Sequence, residues 1–349
     1  MFHALRVAEV ERLTDDSVAV TFEVPPHLRE EYRFSAGQHL AIRRFTDSGQ
    51  EIRRTYSICD PVPHDGAPST LRVAVRLVEA GEFSTYAHKE LQAGEELEVL
   101  TPAGRFILEP RPGHFAAIVG GSGITPVLSQ VRTLLEREAE ARFCLIRSDR
   151  TAASTMFLEE VADLKDRWPD RLQLVTVLSR EEQQAGMPSG RLDQERLTGI
   201  LPGLLRLETV DGWFLCGPYG LVQGAERALR ALGVPRGRIH EEIFHVDPAP
   251  VTAVRAPAGA MVRATLDGRG GSWASAGGES VLETVLRNRP DAPYACKGGV
   301  CGTCRARLVS GEVRMDRNFA LEAEELDAGY VLACQSHPVT EAVEVDFDA

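Results

Sequence analysis

The sequence predicts a multidomain protein with three folded units in series: an antiparallel β-barrel, an α/β unit with a parallel sheet, and a small C-terminal unit. At 349 residues the chain is too long for one ordinary core. Short alternating segments fill residues 1–109, and apolar runs alternate with amphipathic helices over 110–245. A Pro- and Ala-rich stretch, 246–259, indicates a linker to the last unit, 260–349.

Composition narrows the function classes. Apolar residues make up 43% of the chain and charged residues 26%, as in globular proteins, and the net charge of −12 argues against nucleic-acid binding through a basic surface. The N-terminal segment lacks the basic and apolar regions of a secretory signal, and no apolar run is long enough to span a bilayer. We therefore expect a cytoplasmic protein without a membrane partner.

The first unit shows the period-2 alternation of strands in a small barrel. The predicted strands are 18–24, 39–45, 71–78 and 95–102. Turn signals such as Thr14-Asp15-Asp16 and Ala93-Gly94 separate them.

The second unit alternates apolar runs with helical patterns, which favours a parallel sheet covered by helices. Predicted strands are 114–120, 143–147, 172–178, 213–217 and 238–244, and predicted helices are 127–140, 155–167 and 219–232.

The third unit carries the strongest chemical pattern of the chain, which is Cys296-x4-Cys301-x2-Cys304, then 29 residues, then Cys334. This spacing is typical of a plant-type [2Fe–2S] cluster, in which four thiolates hold two irons. A structural zinc site is the alternative, but zinc sites usually pair their ligands as C-x2-C on each side. Glycines at 298, 299 and 302 suit a loop that wraps a cluster and aims its N–H groups at the sulfurs. Ahead of it, Ser280 is predicted to cap a helix that begins at Val281.

The segment CKGGVCGTCRARLVSGEVRMDRNFAL…GYVLACQSHP resembles the ferredoxin domain of phenylacetyl-CoA epoxidase (ring-1,2-epoxidase) reductase subunits. The two upstream units resemble the ferredoxin–NADP reductase superfamily in the same order, so that the resemblance covers the whole chain. It implies an FAD-binding barrel, an NAD(P)-binding α/β domain and a β-grasp ferredoxin domain. The implied cofactors are FAD, a [2Fe–2S] cluster and NADPH, with NADH as the alternative.

Two stretches of the barrel resemble the flavin motifs of that superfamily. In Arg54-Thr55-Tyr56-Ser57 the guanidinium suits a pyrophosphate, the phenol ring an isoalloxazine face, and the serine hydroxyl the flavin N5. Gly81-Glu82-Phe83-Ser84-Thr85 resembles the second motif, with Gly81, Phe83, Ser84 and Thr85 as cofactor-binding candidates at a helix N-terminus. The alternative for Ser84 is a plain N-cap.

In the α/β unit, Gly120 to Pro126 (GGSGITP) resembles the superfamily's nucleotide loop, with Gly121, Gly123, Thr125 and Pro126 as candidates. Cys216-Gly217-Pro218 resembles the motif beside the nicotinamide, although an inert core thiol is an equal interpretation of Cys216.

Two further pairs resemble the family's nucleotide site. Ser179-Arg180 suits a 2′-phosphate, with Arg147 and Arg150 as candidates to assist, whereas a solvated arginine at a strand end is the alternative. Glu242 and Phe244 resemble a pair that closes the domain against the flavin, although Ile243 stands where an Arg is usual and an acidic strand end is the alternative.

The predicted catalytic residues are Ser57, Cys216 and Glu242. The order of motifs predicts a path for electrons, because NADPH gives a hydride and a [2Fe–2S] centre accepts single electrons, so that a flavin must stand between them. The resemblance implies the reductase component of a multicomponent oxygenase, with the oxygenase component as partner. A reductase for a sterol, alkane or aromatic-ring hydroxylase and a non-enzymatic redox-sensing module are the alternatives.

Overall fold

The computed structural model describes residues 2–46, 48–49, 51–79, 81–182, 189–245, 259–294, 296–321 and 323–349. The chain divides into two compact units, Met1–His245 and Val246–Ala349. The predicted linker, 246–259, lies outside the described residues except for Gly259. No helix among the described residues is both long and apolar enough to cross a membrane.

An antiparallel barrel forms the N-terminal part of the first unit, as predicted. Its strands are β1 (Phe2–Thr14), β2 (Ser17–Glu23), β3 (His39–Phe45), β4 (Glu51–Ser57), β5 (Thr70–Arg76) and β6 (Glu96–Leu100), with α1 (Glu82–Lys89) before β6. They pair in the order β4-β3-β6-β1-β2-β5. An antiparallel bridge from Ile58, just after β4, to Val73 of β5 joins the two edges of this sheet.

The rest of the first unit is an α/β layer around a five-stranded sheet, which confirms the predicted fold class. Its elements are β7 (Gly113–Gly120), α2 (Ile124–Arg137), β8 (Ala141–Asp149), α3 (Leu158–Arg167), β9 (Leu172–Leu178), α4 (Gln194–Leu204), β10 (Gly212–Pro218), α5 (Tyr219–Ala231) and β11 (Ile239–His245). The strand order is β11-β10-β7-β8-β9, and every neighbouring pair is parallel. The carboxyl ends of β7 and β10, adjacent in the sheet, therefore lie at one edge, where ligands bind in such folds.

Barrel and α/β layer share a core. Phe106, in the segment that follows β6, packs edge-on against Phe214 of β10 with ring centroids 5.5 Å apart. The buried amide of Gln130 on α2 donates to the Phe106 carbonyl at 2.7 Å. On the other side Arg72 of β5 pairs with Glu160 of α3 at 2.9 Å. These contacts hold the two layers of the first unit in register.

The second unit is a mixed β-sheet with two short helices. Its elements are β12 (Met261–Leu266), β13 (Arg269–Ala274), α6 (Val281–Leu286), β14 (Arg305–Ser310), β15 (Val313–Met315), α7 (Ala323–Asp327), β16 (Tyr330–Leu332), β17 (Ser336–Pro338) and β18 (Ala342–Asp346). The main sheet runs β13-β12-β18-β14-β16, with β12 and β18 parallel. The Ser280 cap is confirmed, because its hydroxyl accepts from the Glu283 N–H while the Glu283 carboxylate accepts from the Ser280 N–H.

Candidate functional site

The glycine loop between β7 and α2 lies where its motif predicts. Gly121 takes a positive φ of 55°, and Thr125 donates from its hydroxyl to the Ser122 carbonyl at 2.9 Å. Pro126 falls in the first turn of α2, where its missing N–H costs nothing. The loop therefore presents a helix N-terminus without a side-chain cap, which suits a phosphate.

The second nucleotide motif packs directly against that loop. A Cβ at Gly123 would lie 2.2 Å from the Cys216 carbonyl oxygen and 2.8 Å from the Gly217 nitrogen. Gly217 itself has a φ of 142°, and a Cβ there would lie 2.9 Å from the Gly120 carbonyl oxygen. Glycine is required at both positions, because backbone meets backbone. Pro218 is exposed at the N-cap of α5.

Cys216 and Glu242 stand side by side on neighbouring strands of the sheet. Cys216 is fully buried, and burial together with the Glu242 carboxylate raises the pKa of its thiol well above the ordinary value. The side chain is therefore a neutral thiol and not a nucleophile at neutral pH. Phe244, two residues after Glu242, is partly buried and packs against the core that the barrel and the sheet share.

The barrel supplies an unpredicted partner at this place. His39 of β3 is 4% exposed, and its Nδ1 lies 3.8 Å from a Glu242 carboxylate oxygen. His39 Nε2 and the second Glu242 oxygen are buried without a hydrogen-bond partner among the described residues. Ser57, 3% exposed, is the register partner of His39 on β4. Two of the residues predicted to be catalytic, Ser57 and Glu242, thus neighbour His39, and the third, Cys216, neighbours Glu242 in the sheet.

Gly104, which follows β6, makes room for the imidazole of His39. A Cβ at Gly104 would lie 2.9 Å from His39 Nδ1, and Gly104 has a φ of 110°. The backbone of His39 exchanges hydrogen bonds with Ala103 at 2.8 and 3.0 Å.

The first flavin motif occupies β4. Arg54 is exposed, and the hydrogen bond found for its guanidinium goes to the Arg53 carbonyl, which leaves donors for a phosphate. Tyr56 shares the Arg54 face by strand alternation, and its ring centroid lies 5.4 Å from that of Phe83. Burial raises the pKa of the Tyr56 phenol. Thr55 is half-buried on the other face.

In the second flavin motif the helix begins two residues earlier than the sequence predicts. Helix α1 begins at Glu82 with Gly81 as N-cap, so the interpretation of Ser84 as an N-cap is wrong. The hydroxyls of Ser84 and Thr85 both donate to the Gly81 carbonyl, at 2.9 and 2.8 Å. Phe83 is 2% exposed and belongs to the barrel core. Binding of the cofactor by these residues stays a prediction, and the N–H groups of Gly81 and Thr85 already donate to the carbonyls of Val78 and Gly81.

Ser179 and Arg180 follow β9 at the carboxyl edge of the sheet, with their N–H groups bonded to the carbonyls of Asp149 and Arg150. Arg180 is exposed. The Glu181 carboxylate accepts a hydrogen bond from the Ala152 N–H at 2.8 Å.

The expectation that Arg147 assists a phosphate is wrong. Its side chain is 1% exposed and pairs at 2.9 Å with Asp149, two residues along the same strand face. A second nitrogen of the guanidinium donates to the Met156 carbonyl at 2.9 Å. This arginine is part of the core.

The four cysteines of the second unit fall into two pairs. The thiols of Cys296 and Cys301 share a hydrogen bond, and so do those of Cys304 and Cys334. These bonds lower the pKa of Cys296 and Cys334, and they raise that of Cys301 and Cys304.

This arrangement fits a binuclear iron cluster. Two pairs match a centre in which each of two irons takes two thiolates. The Gly298 N–H also points at the Cys296 sulfur at 3.3 Å, as expected for a loop that stabilises thiolate charge.

Comparison with known protein families finds matches in both units. Residues 117–227 match the oxidoreductase NAD-binding domain, and residues 264–339 match the 2Fe-2S iron-sulfur cluster binding domain. The first match contains the glycine loop, and the second contains all four paired cysteines. The predicted cluster and nucleotide domains are therefore confirmed.

Full-length relatives are also found. The chain is 44% identical to one of the subunits of 1,2-phenylacetyl-CoA epoxidase from Escherichia coli, over 100% of this chain and 98% of that protein. It is 31% identical to the ferredoxin reductase component of 3-ketosteroid-9-alpha-monooxygenase of Rhodococcus rhodochrous, over 98% and 96% of the two chains. The solved structure of phthalate dioxygenase reductase matches with a TM-score of 0.62 at 23% identity, over 99% and 98% of the chains, and shows the same fold.

Proposed function

The chain belongs to the family of reductase components of multicomponent oxygenases that includes this 1,2-phenylacetyl-CoA epoxidase subunit, and from this we propose its reaction and partner. It oxidises NADPH and delivers single electrons, through FAD and its [2Fe–2S] centre, to the oxygenase component of a phenylacetyl-CoA epoxidase. The full-length identity of 44% to that subunit, against 31% to the 3-ketosteroid reductase component, supports this partner over a sterol hydroxylase. We also propose a cytoplasmic location, where thiolate ligands stay reduced.

The first unit would bind both cofactors of the hydride step. Arg54 would pair with a flavin phosphate, and Tyr56 would lie against the ring system. The Gly121–Gly123 turn and the N-terminus of α2 would hold the nucleotide pyrophosphate, and Arg180 the 2′-phosphate. When bound, a flavin takes up the two electrons of a hydride, and a [2Fe–2S] centre carries electrons one at a time.

The buried junction of barrel and sheet would shape the hydride site. Cys216 would offer a small neutral side chain beside the proposed nucleotide loop, and Glu242 a carboxylate whose oxygen lies 3.8 Å from His39 Nδ1. Ser57 would donate its hydroxyl toward the ring nitrogen that receives the hydride. The burial of Ser57, His39 and Cys216 would limit the access of water to this site.

Reconstitution tests the proposal. The purified chain, NADPH and a phenylacetyl-CoA epoxidase oxygenase component should oxidise NADPH and form epoxide in a phenylacetyl-CoA-dependent manner. Cys301→Ser should abolish that delivery while ferricyanide, which takes electrons from flavin, is still reduced. The matched control is Cys144→Ser, a buried thiol in the first unit. Epoxide formation at the parent rate by Cys301→Ser would place the cluster off the path, and activity only with a sterol hydroxylase would contradict the partner.

A further inference from the structure

Gln335 directly follows the cluster ligand Cys334, and its backbone is fixed on both sides. Its N–H donates to the Leu332 carbonyl at 2.9 Å, and its carbonyl accepts from the Asp316 N–H at 2.9 Å. The direction of the side chain therefore follows from the fold of the turn between β16 and β17.

The side-chain amide of Gln335 reaches both ligand-bearing segments of the unit. Its Nε2 lies 2.8 Å from the carbonyl of Lys297, the residue after Cys296, and 3.6 Å from the Cys334 sulfur. It also lies 3.2 Å from the Cys334 carbonyl. All three neighbours are acceptors, so the amide nitrogen and not its oxygen must face them, and its two N–H groups serve the carbonyls and the sulfur.

The cluster loop is shaped to admit this side chain. A Cβ at Gly299 would lie 3.1 Å from Gln335 Cγ and 3.2 Å from the Arg317 carbonyl oxygen, and Gly299 has a φ of 79°. Glycine at this position thus serves the close approach of Gln335 as well as the turn of the loop.

We propose that Gln335 sets the reduction potential of the [2Fe–2S] centre by donating an amide hydrogen bond to the Cys334 thiolate. Reduction adds one negative charge to the cluster and its thiolates, and an N–H dipole aimed at a ligand sulfur stabilises the more negative state. The bond therefore raises the potential and favours transfer of electrons into the cluster. The inference rests on the proposed function, since it requires the cluster to be present.

A purely structural role is the competing explanation. The bond to the Lys297 carbonyl ties the first ligand loop to Cys334, and losing it alone would loosen cluster binding. A purely structural role predicts that the variants lose iron. The proposed role predicts that variants which keep their iron have a lower reduction potential.

The test is a redox titration of the full-length chain, followed by the electron paramagnetic resonance signal of the reduced cluster, with iron and sulfide measured on each sample. Gln335→Met keeps the length and removes the donor. Gln335→Glu also removes it and adds a negative charge. Asn288→Leu is the control, because this exposed amide donates to the Thr284 carbonyl at 3.1 Å and not to a sulfur.

We expect Gln335→Met to disfavour reduction about tenfold, which corresponds to about 59 mV for one electron, and Gln335→Glu to lower the potential further. Asn288→Leu should change the equilibrium for reduction by less than about twofold, which corresponds to a shift of about 18 mV in the potential. A potential of Gln335→Met within that range at full iron content overturns the proposal, as does loss of iron from both Gln335 variants. A parent chain that holds zinc without sulfide would overturn the proposed function itself.

Discussion

Gly123→Ala tests the close approach of the glycine loop to the Cys216-Gly217-Pro218 turn. Gly123 has a φ of −61° and a ψ of −9°, which alanine adopts without strain. Its new Cβ would nevertheless lie 2.2 Å from the Cys216 carbonyl oxygen and 2.5 Å from the Cys216 carbonyl carbon. Both are backbone atoms of β10, so no side chain can rotate away. The cost of the substitution is therefore steric overlap and not backbone conformation.

The size of the effect follows from the overlap. A carbon–oxygen contact closes to about 3.3 Å, so loop and strand must separate by about 1.1 Å. Overpacking of this kind costs about 1–3 kcal/mol. In a unit of this size each kcal/mol shifts the melting temperature by about 2–4 °C, which gives a loss of about 2–12 °C. A displacement of about 1 Å at a positioning loop can also lower activity about 100-fold.

Thermal unfolding and the kcat/KM for NADPH, with ferricyanide as acceptor, measure both effects. Gly199→Ala is the matched control, since this glycine lies within α4 and a Cβ there meets nothing within 4 Å. It should stabilise the unit by about 0.8–1 kcal/mol, the difference in helix propensity. A Gly123→Ala protein that melts at or above the parent temperature with an unchanged kcat/KM would refute the packing argument.

Four other substitutions address Arg54, Arg180 and the His39–Glu242 pair. Arg54→Ala should weaken flavin retention about 10- to 150-fold, because a hydrogen bond to a charged group contributes about 1.5–3 kcal/mol, and flavin content that survives extensive dialysis would contradict this. Arg180→Ala should raise the KM for NADPH much more than that for NADH, and equal changes would exclude the 2′-phosphate role. His39→Leu should destabilise the first unit by about 0.5–3 kcal/mol, because it removes the polar neighbour whose Nδ1 lies 3.8 Å from the Glu242 carboxylate. Addition of Glu242→Gln should recover part of that loss in urea unfolding, and strictly additive costs would show that the pair does not interact.

The fold class follows from local periodicity, although some elements of the structure are missing from the prediction. The predicted strand 39–45 coincides with β3, because the turn signals Ala36-Gly37 and Asp47-Ser48-Gly49 bound this short segment on both sides. Strand β1 is not among the predicted strands, although exposed and buried residues alternate from Ala4 to Val7, and its pairing with β2 shifts register twice. Helix α4 contains two glycines and Pro202, which hide its helical pattern. Tertiary packing decides both elements.

The site residues also divide into those that a local sequence motif predicts and those that only the fold identifies. The glycine loop and the cysteine spacing are local motifs, so the sequence alone predicts which residues take part. Arg147 misled the prediction because a strand-end arginine resembles a phosphate ligand, although Asp149 two residues later, on the same strand face, already offered a partner. Alternation along β8 is the pattern that could have identified this pair.

His39 shows why the rest of the site requires the fold. It lies on a barrel strand and belongs to none of the motifs that resemble a cofactor site. Its place in the site becomes visible only in the fold, because β11 brings Glu242 within 3.8 Å of it. Gly104 becomes interpretable for the same reason, since its Cβ would overlap the imidazole. A sequence records each of these residues separately, whereas the requirement that links them arises when barrel and sheet pack together. The junction at His39 is therefore where substitutions in either layer of the first unit should affect the other.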